Sequence, residues 1–257
     1  MTRRFTDPRS ILVTGASSGI GRALALAYAG PGRHLALCGR DDGRLAAVAG
    51  ACAAAGAAVT ARVVDVTDAA ATADWIAAAE AARPLDLVIA NAGVSAGSGG
   101  RGEDAAQTRR LFATNIDGVV NTVWPALPPM RARGHGQVVL VASLAGYRGL
   151  PTAPAYSASK AAVKAWGEGL RPWLAGEGIG VTVVCPGFVE SGITATNRFP
   201  MPMMMTAERA AALIRRRLAR NPARLSFPWP LVLGAWLNAA LPPALVDPVL
   251  ARAPKKE

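Results

Sequence analysis

The sequence predicts an α/β fold, with a mostly parallel sheet and helices on both of its faces. Short apolar runs alternate with longer helical stretches along the chain, which is the pattern of strand–helix–strand units. The apolar runs lack clean polar alternation, as is typical of strands covered on both faces. No internal repeat or linker divides the 257 residues, so we expect a single domain over 1–257.

The first half of the chain predicts three strand–helix pairs. The strands are short apolar or β-branched runs, at 10–14, 34–38 and 58–64. An alanine-rich stretch that favours a helix follows each of them, at 19–29, 43–55 and 68–82.

The second half continues this alternation and brings the sheet to about seven strands. Strands are predicted at 85–90, 137–143, 181–185 and 224–227. Helices are predicted at 104–131, 154–175 and 206–221, the last of them capped by Thr206. Pro125 and Pro172 fall inside two of these helices. Because proline removes an amide donor, we expect a kink or a late break at each.

Composition excludes several classes of protein. Three cysteines with no CxxC or Cys/His cluster argue against a disulfide framework and against a metal site, and they suit a reducing, cytoplasmic setting. No signal peptide and no spanning helix is expected. The net charge of +11 suits binding to nucleic acid, to an anionic lipid surface or to an anionic cofactor. Alternatively, it reflects arginine-rich composition alone. No nucleic-acid motif accompanies the charge, so we expect no nucleic-acid partner.

The first strand runs directly into a glycine-rich turn, Thr14-Gly15-Ala16-Ser17-Ser18-Gly19-Ile20-Gly21, where a helix begins. Gly15 permits the tight turn, Gly19 the close approach of a pyrophosphate, and Gly21 close helix–strand packing. The helix dipole favours phosphate there. An ordinary glycine-rich turn is the alternative, but its place at the first strand–helix junction favours dinucleotide binding.

The second strand ends with Gly39 and Arg40. A fold that prefers NAD would offer a carboxylate here to the ribose 2′-hydroxyl. Arg40 instead suits a 2′-phosphate, with Ser17 and Arg22 assisting. The sequence therefore favours NADP(H), the alternative being a solvated arginine beside Asp41.

Tyr156 and Lys160 are four residues apart at the start of a predicted helix, so they share one face. A nearby ammonium, together with an oxidised nicotinamide, would lower the pKa of the phenol and make it an acid/base catalyst. Ser143 ends the fifth predicted strand, where parallel sheets place their ligands. Taken alone, this pattern also suits a half-exposed helix face.

In their order and spacing, these motifs together resemble those of the short-chain dehydrogenase/reductase family over residues 8–192. The motifs are the glycine turn, Asp65, Asn91-Ala92-Gly93, Asn115, Ser143, Tyr156, Lys160 and Pro186-Gly187. The resemblance implies a Rossmann-type, doubly wound sheet and a catalytic tetrad of Asn115, Ser143, Tyr156 and Lys160. In that family the tyrosine transfers the proton and the serine orients the carbonyl. The lysine binds the nicotinamide ribose, and the asparagine holds a water.

The resemblance also implies the residues that hold the cofactor. In addition to Tyr156 and Lys160, these are Gly15, Ser17, Ser18, Gly19, Ile20, Gly21, Arg40, Asp65, Val66, Asn91, Ala92, Gly93, Pro186, Gly187, Val189 and Ser191. Asp65 and Val66 would contact adenine, and Asn91 would brace the sheet. The sequence departs from the family pattern at Ala90, where asparagine is usual, and at Ser191, where threonine is usual. Neither change touches the tetrad.

The stretch 187–222 would form the substrate lid. It carries apolar and thioether side chains that suit a lipophilic carbonyl or alcohol: Phe188, Ile193, Phe199, Met201, Met203, Met204 and Met205. The alternative is that these side chains simply pack the lid onto the core.

The last stretch, 228–257, predicts an apolar, amphipathic extension. Trp229 and Trp236, flanked by the arginines of 215–220 and the final lysines, suit a helix in a lipid interface. Packing over the substrate pocket or against a second subunit is the alternative. By analogy with the family, we expect a homo-oligomer formed through 104–131 and 154–175.

Together these features predict an NADP-dependent oxidoreductase that interconverts a carbonyl and an alcohol on a small, apolar substrate. The alternative from another class is a non-catalytic NADP-binding or scaffold protein, against which the intact tetrad argues.

Overall fold

The computed structural model describes residues 4–95, 103–195 and 200–251. Its centre is one sheet in the strand order β3-β2-β1-β4-β5-β6-β7, with every neighbouring pair parallel. The strands are β1 (Ser10–Thr14), β2 (His34–Gly39), β3 (Ala58–Val63), β4 (Leu87–Ala90), β5 (Gly136–Val141), β6 (Ile179–Pro186) and β7 (Arg224–Phe227). The order reverses between β1 and β4, as in Rossmann sheets. The predicted fold class is confirmed.

Helices cover both faces of the sheet. Successive side chains of a strand point to opposite faces, and in β1 Ile11 and Val13 join one apolar cluster while Leu12 joins the other. Residues of α1 (Gly19–Tyr28), α2 (Asp42–Ala54) and α9 (Ala207–Leu218) complete the first cluster. Residues of α3 (Ala69–Ala82), α5 (Gly118–Val123), α6 (Leu127–Arg133) and α7 (Pro154–Ala175) complete the second.

The outermost strand differs from the expectation that the strands are covered on both faces. Every residue of β3 is exposed except Val59, which is half-buried. β3 lies at one edge of the sheet, where only β2 adjoins it, and Val59 is its only residue that joins an apolar cluster of the described residues.

The predicted helix 104–131 is broken into pieces. After α4 (Ala105–Phe112), a π-helical segment runs over Ala113–Asp117, and a 3₁₀ turn at Trp124–Ala126 separates α5 from α6. Pro125 lies in that 3₁₀ turn, so the break expected there is present. Pro172 lies inside α7, which continues to Ala175. No signal in the sequence predicted the π segment.

A short helix, α8 (Gly192–Ala195), lies in the lid. Two further helices follow β7, namely α10 (Trp229–Ala240) and α11 (Pro243–Leu250). Helix α10 contacts β7 and the 3₁₀ turn Leu144–Gly146 that follows β5. It therefore lies at the carboxyl edge of the sheet. Within the described ranges, none of the helices has the length and apolar character needed to cross a membrane.

Candidate active site

The turn after β1 depends on its glycines. Gly15 and Gly19 have φ values of +66° and +52°, a region that favours glycine. A Cβ on Gly21 would lie 2.2 Å from the carbonyl oxygen of Gly15, and one on Gly19 would lie 3.0 Å from Cβ of Ser191. The side chain of Ser18, the N-cap residue of α1, makes no capping hydrogen bond. The first amides of α1 thus have no side-chain acceptor at the N-cap, which suits an anion.

The end of β4 is joined to the end of β1 by side-chain hydrogen bonds. Asn91 Nδ2 donates to the carbonyl oxygens of Thr14 and Gly15, at 2.9 and 3.4 Å. The backbone amides of Asn91 and Ala92 donate to Thr14 Oγ1, at 3.0 and 3.1 Å. These bonds fix the crevice between β1 and β4, the point where the strand order reverses.

The π segment carries Asn115, whose side chain is fully buried. Its Oδ1 accepts from the amide of Val94 at 2.8 Å, and its Nδ2 donates to Val94 O at 2.9 Å and to Ser159 Oγ at 3.0 Å. A Cβ on Gly93 would lie 3.1 Å from Asn115 Oδ1 and 3.3 Å from Lys160 Nζ. Asn115 therefore holds the segment after β4 against α7. A π turn in a helix is often found at a functional site.

Tyr156 and Lys160 occupy one face of α7, as their spacing predicts. Lys160 Nζ lies 5.9 Å from the centre of the Tyr156 ring and donates to Val141 O at 2.9 Å. Burial lowers the pKa of Lys160 to about 8, because the charged ammonium is poorly solvated there, while the Cys185 thiol acts in the opposite direction. The ammonium therefore keeps its charge at neutral pH but loses its proton more readily than a solvated lysine.

The protein's own groups raise the pKa of Tyr156. Burial raises it above its ordinary value, and a hydrogen bond with Ser143 only partly offsets that effect. Lowering the pKa of the phenol would therefore need the additional charge of an oxidised nicotinamide. Ser143 lies two residues beyond the end of β5, and its Oγ also accepts from the amide of Ala145 at 3.1 Å.

A cavity of 1130 Å³ joins these groups. Of the predicted cofactor and catalytic residues, those that line it are Gly15, Ser17, Ser18, Gly19, Ile20, Arg40, Asp65, Val66, Asn91, Ala92, Gly93, Ser143, Tyr156, Lys160, Pro186, Gly187, Val189 and Ser191. Gly21 and Asn115 are not part of the lining and act through the packing and hydrogen bonds described above. The volume exceeds that of an ordinary ligand pocket, so the cavity has room for a dinucleotide and a second molecule.

Arg40 stands at one end of the cavity with its side chain 60% exposed, and its Nη1 lies 4.0 Å from Asp65 Oδ2. A Cβ on the preceding Gly39 would lie 2.9 Å from Ser17 Oγ, so a carboxylate side chain there would displace Ser17. Arg44 also lines the cavity, although sequence reasoning missed it. Arg22 pairs with Glu208 at 3.2 Å and does not line the cavity, contrary to its expected assisting role.

The lid contributes less to the cavity than expected. Of its apolar residues, Phe188 lines the cavity, while Met203 and Met204 are exposed and Met205 packs against the core. Phe199 lies outside the described residues, as does the side chain of Ile193. Met205 therefore fits the alternative that the lid side chains pack onto the core, whereas Met203 and Met204 fit neither that alternative nor the lining of a pocket.

Helix α10 supplies a wall that sequence reasoning missed. Leu231, Gly234, Ala235 and Asn238 line the cavity, at the i, i+3, i+4, i+7 spacing of one helix face. The spacing could have indicated this face in the sequence. However, glycine and alanine contribute little to an amphipathic pattern, so the face was not recognised. The outer face of α10 is exposed, with Trp229 at 75% and Trp236 at 55%.

The arginines of α9 do not flank α10, which corrects the expectation above. Arg215 donates to Ala27 O, at the end of α1, and lies over the Tyr28 ring. Leu218 O accepts from Gln137, at the start of β5, so α9 ends at the amino edge of the sheet. Trp229 follows the last strand at the carboxyl edge. Residues 252–257, with the final lysines, lie outside the described residues.

Comparison with known sequences shows one family. The short chain dehydrogenase family model matches residues 9–200. An uncharacterized oxidoreductase of Myxococcus xanthus is 43% identical over 245 residues, which cover 95% of this chain and 97% of that one. The ketoacyl reductase HetN of a Nostoc species is 33% identical over 201 residues, which cover 76% of this chain and 69% of that one.

Solved structures of the same family share the fold. A short-chain type dehydrogenase/reductase from Mycobacterium marinum gives a TM-score of 0.76 at 25% identity, covering 85% of this chain and 93% of its own. A short chain dehydrogenase from Mycobacterium paratuberculosis bound to NAD gives 0.75 at 25% identity, covering 85% and 95%. Because the family match extends from the glycine turn through the Tyr156 helix to the lid, the chain belongs to the short-chain dehydrogenase/reductase family of nicotinamide-dependent oxidoreductases.

Proposed function

We propose that the protein is an NADP-dependent reductase that converts an apolar ketone or aldehyde to an alcohol, with Tyr156 as the general acid. One observation carries the proposal: the buried Lys160 and the partly buried Tyr156 lie on the wall of the same cavity that contains the glycine turn. Burying an ammonium costs free energy, and a functional cavity is where such a cost is commonly found.

The lining residues fit a dinucleotide. The open amides at the start of α1 would hold the pyrophosphate, Asp65 and Val66 the adenine, and Lys160 the nicotinamide ribose. Residues 186–189 and Ser191 would line the nicotinamide. When bound, the cofactor supplies the hydride that reduces the carbonyl carbon.

The chain's own residues supply the proton. Because burial raises the pKa of Tyr156, the phenol keeps its proton at neutral pH and can donate it to the carbonyl oxygen as negative charge develops there. The Ser143 hydroxyl would orient the same oxygen. The Lys160 ammonium, 5.9 Å from the ring centre, would stabilise the phenolate that remains. Asn115 is proposed to hold a water of the relay that returns the proton.

Arg40 supports the preference for NADP. A guanidinium that is largely exposed at the cavity end can form paired hydrogen bonds with a 2′-phosphate. The contact between Gly39 and Ser17 described above opposes a carboxylate at that position. NADPH is the usual reducing pool, which favours reduction over oxidation as the direction.

An apolar substrate with a keto group is supported by two observations. The apolar side chains Leu144, Leu150, Phe188 and Leu231 line the cavity, and the Nostoc relative is named a ketoacyl reductase. Residues 187–222 are proposed as the lid over this substrate.

Two surfaces outside the cavity support assembly or lipid contact. We propose that the exposed outer face of α10 and α11 rests on a membrane surface, through its apolar side chains rather than through the arginines of α9. Trp124 and Trp173, about half exposed with ring centres 5.9 Å apart, are proposed to pack against a second subunit. Both lie on the helices expected to form the homo-oligomer.

The test is a screen of NADPH oxidation with a panel of apolar ketones and aldehydes. We expect turnover that disappears in Tyr156→Phe. Activity that is unaffected by this change would overturn the proposed mechanism.

A further inference from the structure

Helix α10 lies beyond the part of the chain that the family model matches, which ends at residue 200. It nevertheless lines the same cavity as Tyr156 and Ser143. Part of the cavity lining is therefore contributed by a segment that lies beyond the matched residues.

The wall is attached to the catalytic segments at both of its ends. At its start, a Cβ on Gly187 would lie 3.1 Å from Leu231 Cδ1 and 3.2 Å from Pro228 Cδ, so α10 packs directly on the loop after β6. Towards its end, Arg148 reaches from the loop after Ser143. Its Nη1 donates to the carbonyl oxygens of Asn238 and Leu241, at 2.9 and 3.1 Å.

The same guanidinium also holds α11. Arg148 Nη2 pairs with Asp247 Oδ1 at 3.0 Å, and the Arg148 side chain is only 16% exposed. One side chain that lines the cavity thus connects α10 and α11 to the segment that carries Ser143, and α10 is held as a fixed wall.

The middle of the wall is small and open. No heavy atom lies within 4 Å of a Cβ built on Gly234, and the next residue that faces the cavity is Ala235. Bulky residues at these two positions would fill space that is now free. The width of the cavity at α10 therefore depends on the small size of these two residues.

Asn238 is the polar member of this wall. Its Oδ1 is buried, and no donor reaches it among the residues that the structure describes. A buried acceptor without a donor costs free energy. Rotation about χ2 of asparagine is soft, so the amide oxygen can turn towards a donor that enters the cavity. Sequence analysis identified no residue for a polar group of the substrate, and Asn238 is a polar side chain of the cavity lining whose acceptor is free within the part of the chain that the structure describes.

We propose that α10 determines substrate specificity. Gly234 and Ala235 leave room for a bulky, fused-ring or branched apolar body, and Asn238 accepts a hydrogen bond from a hydroxyl or amide N–H on that body. The inference rests on the proposed function for the position of the reacting carbonyl. It concerns which ketone fits and not whether a hydride is transferred.

The test measures binding, which needs no turnover. Calorimetry in the presence of NADP⁺ gives the affinities of wild type and Gly234→Leu for decalone, a bulky ketone, and for cyclohexanone, a small one. We expect decalone to bind at least about tenfold more weakly to the variant, because added methylenes fill the space it needs. The affinity for cyclohexanone should stay unchanged. Gly50→Leu is the matched control, since Gly50 also lies in a helix with nothing near its Cβ and outside the cavity.

A second variant tests the polar contact. Asn238→Leu should lose the preference for a hydroxylated decalone over decalone itself, by about fivefold, while retaining the affinity for NADP⁺. Equal losses for both ketones in Gly234→Leu, an unchanged preference in Asn238→Leu, or no binding of decalone to wild type would overturn the inference. Absence of NADPH oxidation with intact ketone binding would instead count against the proposed reductase activity alone.

Discussion

The ammonium of Lys160 lies 5.9 Å from the centre of the Tyr156 ring and 2.9 Å from the carbonyl oxygen of Val141. The backbone at the end of β5 thus fixes the cation beside the phenol, whose own pKa is shifted by burial and by its hydrogen bond with Ser143. Burial makes Lys160 easier to deprotonate and Tyr156 harder to deprotonate. Near neutral pH the phenol therefore holds its proton, which is the form that a general acid requires.

Replacing Tyr156 by phenylalanine removes the proposed acid and leaves the shape of the cavity. We expect ketone reduction to fall by a factor of about a thousand, with NADPH affinity nearly unchanged in fluorescence titration. Tyr28→Phe is the control, because Tyr28 is also a buried tyrosine but lies outside the cavity. Similar losses in both variants would indicate damage to the fold instead of chemistry.

The pH dependence of reduction should follow Lys160. With a pKa of about 8, the side chain is charged below that pH and neutral above it. Loss of the charge removes stabilisation of the phenolate, so kcat/KM should fall as the pH rises through about 8. In Lys160→Arg the guanidinium stays charged, and the residual activity should show no such fall. Steady-state rates between about pH 7 and 10 check this, and a wild-type profile that stays flat there would contradict it.

Cofactor preference should depend on Arg40. Arg40→Asp replaces a guanidinium with a carboxylate that repels the 2′-phosphate, so NADPH should bind about a hundredfold more weakly. NADH, which lacks that phosphate, should be affected little. Arg62→Asp makes the same change of charge on β3, outside the cavity, and should alter neither affinity. Equal weakening of both cofactors in Arg40→Asp would exclude the assignment.

Membrane contact should depend on the outer face of α10. The double variant Trp229→Ser/Trp236→Ser should sediment with anionic liposomes at least about tenfold less than wild type, because it loses two large apolar side chains. Trp124→Ser/Trp173→Ser removes two tryptophans that are also exposed and should sediment like wild type. Equal sedimentation of all three proteins would rule out this surface as the contact.

The same two double variants also test assembly, with their roles exchanged: the Trp124/Trp173 variant should change and the α10 variant should serve as the control. If Trp124 and Trp173 pack against a second subunit, Trp124→Ser/Trp173→Ser should shift the mass measured by analytical ultracentrifugation towards that of the monomer. The α10 variant should keep the wild-type mass. A shift in the α10 variant alone would assign the subunit contact to the C-terminal helices.

Sequence analysis found those parts of the fold that rest on local patterns. Gly15, Gly19 and Gly21 are required by backbone geometry, and such positions are visible in a sequence because only glycine satisfies them. The four-residue spacing likewise placed Tyr156 and Lys160 on one face. The parallel sheet followed from the alternation of strands and helices, whereas the strand order and the exposure of β3 depend on how distant segments pack.

Other features depend on contacts between distant segments. The π segment at Asn115 is specified by its bonds to Val94 and Ser159, not by any residue that breaks a helix. The wall at α10 faces inward because Arg148, far away in the sequence, bonds to it. The direction of the pKa shift at Tyr156 depends on burial, which the YxxxK pattern does not reveal.

The last strand and the wall that follows it have a consequence for how the protein is made. A ribosome that has finished the glycine turn, the tetrad and the lid has still to synthesise β7, α10 and α11, so the Arg148 guanidinium has no acceptors from them until translation passes Asp247. The nascent chain therefore carries every residue of its nucleotide crevice before it carries the helix that borders the pocket for the second molecule.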